Sequence, residues 1–503
     1  MNLSVKKMND EDIPFIFEVF EQNRNVLHEN HTSLEEWTEY FTNSDTSGSD
    51  SPYESHHIIV ADDCPAAWLK INGWNEPEIW ISMLVVDDFY KHKGVGKFAI
   101  QFAEKTARYW AKSAIRFQTT RDNDIAKDCY LKCGYEIVRE PDGPVPMIYK
   151  VGDGIDREGY EFKKIILPEA LTEEALTNVL SKMFGAKIIS TDFQTKQLQG
   201  GTVGDVRLIS GNAQAADGSK LPYNIVLKVQ RKCERDGDPD SWRREYDFCK
   251  SDFGMLFSES FRWPECYYAE INEEENETQI WMEYIDGLSG NKLTAEMLQQ
   301  ATYELGRFQG KLYAEQPGCL QNQMNLSQTG FVKEFSQQGR SSLLYDYIRS
   351  NDCGIPKHLC KMFIDIDENA EDIWNRIEKL PIVLSHRDFW VANILYADGK
   401  IILIDWDTTG WGYLGEDIAS LIVDETDIDH MVEYYQRCVP AYYKGFSDFV
   451  DVSHITDHCI HEFILLLWGY RIVEWYKFAE SSDEKALHLN TLQKIYEMGG
   501  NTK

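Results

Sequence analysis

Between Ser385 and Asp417 the chain concentrates residue types that phosphoryl transfer needs. His386-Arg387-Asp388 is followed by Asn393, a short apolar run (Ile394 to Tyr396) and the turn-prone Ala397-Asp398-Gly399-Lys400. A second apolar run (Ile401 to Ile404) then delivers Asp405. The pattern predicts a loop, a β-hairpin and an acid at the hairpin's exit. Asp388 suits the orienting or deprotonating of an attacking hydroxyl, and Asn393 and Asp405 suit the holding of Mg²⁺ on nucleotide phosphates. Each residue type alone is ordinary in a loop. Identity, order and spacing together point to catalysis.

Upstream, Gln199-Gly200-Gly201-Thr202-Val203-Gly204 lies between strand-like stretches. Gly200 and Gly201 would let backbone N–H groups approach phosphates, although a Gly-Gly pair also serves a plain hairpin turn. No GxxxxGK[ST] occurs, so this is not a P-loop. Tyr223 to Val229 reads as a buried strand carrying Lys228. A Lys there is costly unless paired, and phosphates together with Glu245 from the next helix would pair it. The alternative is an edge-strand Lys facing solvent. Ile280 to Gly287 reads as a hinge, with Glu283 and Ile285 meeting a nucleobase edge.

His386, Asp388, Asn393 and Asp405 resemble the HxDxxxxN-then-Asp pattern of the aminoglycoside phosphotransferase family, the small-molecule branch of the protein-kinase fold. The resemblance implies a bilobal kinase-like fold with ATP or GTP as donor. It makes Asp388 the catalytic base and Asn393 and Asp405 the Mg²⁺ ligands. Gly415-Glu416-Asp417-Ile418-Ala419 is similar to the family's G-x-D-x-A, which implies that Asp417 braces the catalytic loop without doing chemistry.

The first 150 residues carry different chemistry. Leu84 to Lys97 reads as an apolar strand ending near Val86, a basic turn with Lys91 and Lys93, and a helix start at Gly94-Val95-Gly96-Lys97. Backbone N–H groups there form a cradle for a pyrophosphate. Asn123-x-x-Ala126-x-x-x-Tyr130-x-x-x-Gly134-Tyr135 follows, a helix closed by a glycine turn. The two pieces resemble the GCN5-related N-acetyltransferase (GNAT) family. That implies acetyl-CoA held by the amides of Lys93 to Lys97, with Tyr130 protonating the leaving thiolate and Asn123 helping to position the cofactor. Two positions depart from the family pattern: Lys91 stands where Gln or Arg is usual, and Ser82 stands where an acid is expected. The general base is open among Glu76, Glu78 and a water, and a domain that binds acetyl-CoA without turnover is the alternative.

The expected organisation is a two-domain α+β / α/β chain: residues 1–151 a mixed-sheet acetyltransferase domain, 152–165 a linker, 166–503 the kinase-like domain. The nucleotide lobe would run to about residue 286 and a helical lobe over 287–503, with helices at 172–184, 298–313, 364–380 and 461–478. Residues 42–55 read as a loop. A chain of 503 residues exceeds one core's usual size, and its 43% hydrophobic content with 14 Trp is ample for burial. Eleven Cys, none in a CxxC pair, suggest reduced thiols and a cytoplasmic protein. Met1 to Phe15 shows no leader pattern, and the apolar run after Phe463 is broken by Gly469 and Arg471, so no membrane span is expected. The net charge of −32 makes nucleic acid an unsuitable partner and a polycation a suitable one. Acceptor-binding acids are expected among Asp424, Glu425, Asp427, Glu462 and Glu474. The combined order resembles bifunctional aminoglycoside acetyltransferase–phosphotransferases; a metabolic kinase–acetyltransferase fusion acting on an amino sugar or amino alcohol is the alternative.

Overall fold

The computed structural model describes residues 1–24, 33–42, 53–110, 112–121, 123–140, 159–198, 204–232, 238–321, 326, 333, 342–350, 352–424, 426–455 and 458–500. The chain forms two compact units, Met1–Thr172 and Glu173–Lys503.

The first unit is built on strands β1 (Leu3–Lys7), β2 (Glu54–Ala61), β3 (Cys64–Asn72), β4 (Glu78–Val86), β5 (Ala114–Thr119), β6 (Glu136–Arg139) and β7 (Tyr160–Ile165). They form one seven-stranded sheet in the order β1-β2-β3-β4-β5-β7-β6. Successive residues Ile58 and Ile59 of β2 enter different hydrophobic clusters, as the period of two requires. On one side α1 (Ile13–Gln22) and α2 (Leu34–Thr42) bury Ile16, Phe20, Trp37 and Phe41 against Ile58, Trp68 and Val85. On the other α3 (Val95–Tyr109) buries Ala99, Ile100 and Ala103 against Leu69, Ile79 and Ile115. The short α4 (Asp124–Lys132) precedes β6.

The expected linker over 152–165 is corrected by β7, which lies between β5 and β6 and pairs antiparallel with both. Its charged residues disguised it. Glu161 is buried beneath Arg116 and Arg139, while Phe162 enters the core. The first unit also extends past residue 165, since Ile166 packs in its core. Most of the loop expected at 42–55 lies outside the described residues.

In the second unit β8 (Ile188–Gln197), β9 (Asp205–Ala215), β10 (Lys220–Arg231), β12 (Cys266–Asn272) and β13 (Glu277–Glu283) form an antiparallel sheet ordered β12-β13-β10-β9-β8. It is accompanied by α5 (Glu173–Phe184) and α6 (Ser241–Cys249). The predicted hairpin is β15 (Ile394–Ala397) and β16 (Lys400–Leu403), with Asp398 and Gly399 at φ 51° and 76°, as a two-residue turn of this hand requires. β11 (Phe261–Arg262) extends it in parallel, and β14 (Ile382–Ser385) pairs with β17 (Gly410–Tyr413). The helix expected at 364–380 is two helices, Lys357–Glu368 and Ala370–Ile377, meeting at Asn369. The one expected at 461–478 starts at His458 and passes through a π-helical stretch, Ile464–Gly469.

The helical lobe is organised by α7 (Ala295–Glu315) lying against the helix Met431–Ser447. Glycines let the two backbones meet. A Cβ on Gly306 would stand 2.2 Å from the Tyr442 carbonyl oxygen, and one on Gly445 2.0 Å from that of Tyr303. Gly306→Ala should therefore force the helices apart and cost ~1–3 kcal/mol. Calorimetry should show the loss as a lowered Tm for the second unit, with the first unit's transition unmoved.

Candidate active sites

Lys228 sits in β10 opposite Val206 of β9 and Ile280 of β13, in the middle of the sheet and buried. It is not an edge-strand Lys. Its ammonium donates to Glu245 Oε2 and to Asp405 Oδ1, each at 2.5 Å. Burial works against this charge, but Asp405 and then Glu245 outweigh it and hold the ammonium above its usual pKa. Glu245 reaches it from α6 and uses its other oxygen to accept from the Trp406 amide at 2.9 Å. One helix, one strand and the exit of the hairpin thus meet at a single cation.

The catalytic-loop residues leave β14 directly. His386 and Arg387 donate their backbone N–H groups to Asp417 at 3.0 and 2.7 Å, and Gln309 donates to the same carboxylate at 2.8 Å. Asp417 braces the loop as the family resemblance implied. The buried His386 ring is held near pKa 4 by desolvation, so it is neutral, and its Nε2–H points to the Ile404 carbonyl at 3.0 Å. This ties the loop to the residue before Asp405. Asn393 Nδ2 donates to Asp388 Oδ2 at 2.7 Å and to the Asp388 carbonyl at 2.9 Å, aiming the carboxylate. Burial first, and the nearby Asp405 second, raise Asp388 to about 7. A carboxylate poised there is a competent base at neutral pH.

Asn393 and Asp405 present oxygen donors, the hard ligands Mg²⁺ prefers. A cation, the Lys228 ammonium, already rests on Asp405, so the carboxylate is placed to neutralise positive charge. Among the described residues no group of three or more His, Cys, Asp or Glu forms a metal site. Asn393 and Asp405 would therefore hold Mg²⁺ together with nucleotide phosphates.

At the hinge the Glu283 carboxylate is taken by Arg262 at 2.6 and 3.0 Å and by the Glu265 amide at 3.1 Å, so only its backbone could face a nucleobase. Ile285 follows the last residue of β13 by two positions, in irregular backbone. Gly200 and Gly201 lie outside the described residues. Their neighbour Gly204 has φ +126°, and a Cβ there would meet the Val229 carbonyl at 2.7 Å, one residue from Lys228.

In the first unit β4 and β5 pair in parallel only over Glu78–Trp80 and then separate. Tyr130 packs on Phe117 of β5, just past that point, with ring centroids 3.9 Å apart. Burial keeps its hydroxyl protonated well above the usual phenol range, so Tyr130 carries its proton at neutral pH. Gly94 opens α3 at φ +90°, and a Cβ there would meet no atom within 4 Å. The first-turn amides of Val95, Gly96 and Lys97 have no carbonyl one turn back within the helix, whereas Phe98 N–H already bonds Gly94 at 3.0 Å. This open turn fits a pyrophosphate. The Lys93 amide bonds Tyr90 at 3.3 Å instead. Lys91 pairs with Asp88 at 2.5 Å, and Lys93 Nζ lies 3.6 Å over the Phe89 ring. Val86 ends β4, its carbonyl taken by Asn23 at 3.4 Å, and lines the space beside Gly96. Asn123 caps α4 through the Ala126 amide at 3.2 Å, so it places the helix that carries Tyr130.

Of the two candidate acids, Glu78 is engaged by cations. Burial would raise Glu78, but Lys163 and Arg116 outweigh it and hold it below the usual carboxylate range. Ser82 is the bulged residue of β4 and donates to Asn72 Oδ1 at 2.8 Å. Glu76 is exposed on the loop before the strand.

Residues 17–135 match the Acetyltransferase (GNAT) family, and residues 257–442 match the Phosphotransferase enzyme family. The chain is a GNAT–phosphotransferase fusion. Both families are transferases, the first implying acetyl-CoA and the second a nucleotide. No curated protein matches the chain. Among solved structures, a choline kinase from Cryptosporidium parvum Iowa II is similar at 16% identity, over 61% of this chain and 90% of that one, with TM-score 0.39. The amicoumacin kinase hAmiN, in complex with AMP-PNP, Ca²⁺ and Ami, is similar at 15% identity, over 61% and 89%, with TM-score 0.39. The PaiA N-acetyltransferase of Thermoplasma acidophilum in complex with coenzyme A is similar at 18% identity, over 33% and 99%, with TM-score 0.25.

The structure joins further residues to this site that motif spacing did not reveal. Asp407 accepts from Gln230 Nε2 at 2.8 Å and, through its carbonyl, from the buried Arg244, which is itself held by Asp238 at 2.6 and 2.8 Å. This network joins β10 and α6 to the segment after Asp405. The signal available was its second acid, in Asp405-Trp406-Asp407. Among the acceptor candidates, Asp424 lies close enough to raise Asp388. Glu462 is buried on Arg376, Asp427 pairs with His430 at 2.8 Å, Glu474 is exposed, and Glu425 lies outside the described residues.

Asp388→Asn should reduce phosphoryl transfer ~10²–10⁴-fold while nucleotide binding, read by calorimetry, stays near normal. In the unaltered enzyme kcat/KM should fall as pH drops below about 7, because Asp388 then carries the proton it must accept. Tyr130→Phe should slow acetyl transfer ~10²-fold or more without weakening acetyl-CoA binding, and an unchanged rate would remove Tyr130 from the acid role.

Proposed function

We propose that the fusion modifies aminoglycoside antibiotics, phosphorylating a hydroxyl in the second unit from ATP or GTP with Mg²⁺ and acetylating an amine in the first from acetyl-CoA. The observation that carries the acceptor class is the concentration of acids at the phosphoryl-transfer site. Asp405, Asp407 and Asp424 all bear on Asp388. Such a cluster favours an acceptor whose hydroxyl is flanked by ammonium groups, and the chain's net charge of −32 has the same sign.

In this reading Asp388, aimed by Asn393, takes the hydroxyl proton as the oxygen attacks. Lys228, held by Glu245 and Asp405, binds nucleotide phosphates. Mg²⁺, when bound by Asn393 and Asp405, neutralises charge on those phosphates. In the first unit the amides of Val95 to Lys97 hold the pyrophosphate and Tyr130 gives its proton to the leaving thiolate. The amine proton goes to water, since Glu78 is engaged and Ser82 cannot serve. A cytoplasmic location fits both donors. No helix among the described residues is long and apolar enough to cross a membrane.

A second reading of the first unit, acetyl-CoA binding without transfer, is favoured by Glu78's ion pairs and by Ser82 in the acid's place. One experiment separates the possibilities. The protein is incubated with Mg²⁺, ATP and GTP, acetyl-CoA and a panel of aminoglycosides, and product masses are read. Phosphoryl and acetyl increments are expected. Phosphoryl increments alone, with acetyl-CoA raising the thermal stability, would select the second reading. No increment while nucleotide still binds would reject aminoglycosides in favour of a simpler amino sugar or amino alcohol.

A further inference from the structure

Arg387 precedes the base and adopts φ +65°, the left-handed region that favours glycine. An arginine holds this conformation only where its surroundings impose it. Its guanidinium reaches β17 and the helix that follows, placing Nη2 2.6 Å from the Trp411 carbonyl and Nε 3.3 Å from Glu416 Oε1. Both charged side chains are about 5% exposed. The other Glu416 oxygen accepts from the Tyr413 amide at 3.1 Å. The backbone is cut to receive this carboxylate, because a Cβ on Gly412 would stand 2.5 Å from Glu416 Oε2 and 2.3 Å from Ser385 Oγ. Glu416 and Asp417 open the helix Glu416–Val423 together, and they divide the work. Asp417 takes the main-chain N–H groups of His386 and Arg387, and Glu416 takes the Arg387 side chain.

We infer that the buried Arg387–Glu416 pair is a positioning latch for Asp388, locking the residue before it in a left-handed turn so that the carboxylate stays aimed at the acceptor. The inference rests on Asp388 being the base. Both side chains are buried, so the pair would act through the backbone of the loop that carries Asp388. A pair that only stabilised the fold would affect turnover solely through the amount of folded enzyme. A latch affects turnover in enzyme that is fully folded.

The test uses Arg387→Gly combined with Glu416→Gln in the full chain. Glycine accepts φ +65° without cost, and glutamine keeps an acceptor for the Tyr413 amide. Removing both charges leaves no unpaired buried ion, so thermal stability should exceed that of either single variant. The latch predicts that kcat nevertheless stays at least tenfold below the unaltered enzyme, with nucleotide KM within about twofold. A kcat that recovers together with stability would overturn it. Where the double variant does not fold, Glu416→Asp keeps the charge but withdraws it by one methylene. A several-fold loss of kcat at an unchanged Tm supports the latch, and an unchanged kcat overturns it. Phosphate release from Mg·ATP or Mg·GTP is the readout where no acceptor is taken. Asp388→Asn runs alongside: if it turns over normally, the base assignment fails and the latch, which rests on it, falls with it.

Discussion

Lys228 is a cation taken out of water, and it remains charged because Glu245 and Asp405 each accept a hydrogen bond from it. That requirement constrains much of the second unit. Glu245 must come from α6 and Asp405 from the end of β16, so the sheet, the helix and the hairpin have to arrive at one place. Losing either carboxylate would remove one of the two acceptors that hold the buried ammonium in place. Arg244, Asp238, Asp407 and Gln230 repeat the device one shell away, with a fully buried guanidinium joining α6 to the segment beyond Asp405. Nucleotide phosphates would therefore meet an ammonium whose position is already set, and little ordering has to be spent when they bind.

The catalytic loop is fixed by a different kind of contact. Its N–H groups have no strand partner once β14 ends, and Asp417 supplies the missing acceptors. The neutral His386 adds a bond to the residue preceding Asp405, so the segments carrying Asp388 and Asp405 are tied by one imidazole. Burial that makes this region rigid also lifts Asp388, Glu416 and Asp417 to about 7, 7 and 6. Stability contributed by these carboxyls is greatest in acid and declines as pH rises towards those values, because the unfolded chain gives up the same protons at lower pH. The site thus gives up stability at neutral pH to keep a base poised there.

In the acetyltransferase unit the organising constraint is a parting of strands. β4 and β5 share only a short parallel stretch, and Tyr130 and the open first turn of α3 belong to the elements that follow each strand. The bulge at Ser82 stands on the β3 side of the same opening. Glu78 is held by ion pairs: Arg116 and Lys163 reach it from β5 and β7, and β7 was the strand hidden among charged residues.

His386, Asp388, Asn393, Asp405, the hairpin between them, Lys228 in its strand and the Gly94 and Tyr130 motifs were all legible, because each is a local pattern of residue type and spacing. Fold class followed from the same patterns. The strand over 160–165 was not legible, since Glu161, Lys163 and Lys164 read as solvent-facing until Arg116 and Arg139 are seen to cover Glu161. Nor were the roles of Glu416, Asp407 and Gly306, or the engagement of Glu283 and Glu462, which depend on partners tens to more than a hundred residues away. Sequence by itself determined which chemistries the chain can perform. Tertiary structure alone decided which of its many acids are spent on cations and which stay available, because the charge a carboxylate keeps depends on burial and neighbours that no local pattern encodes.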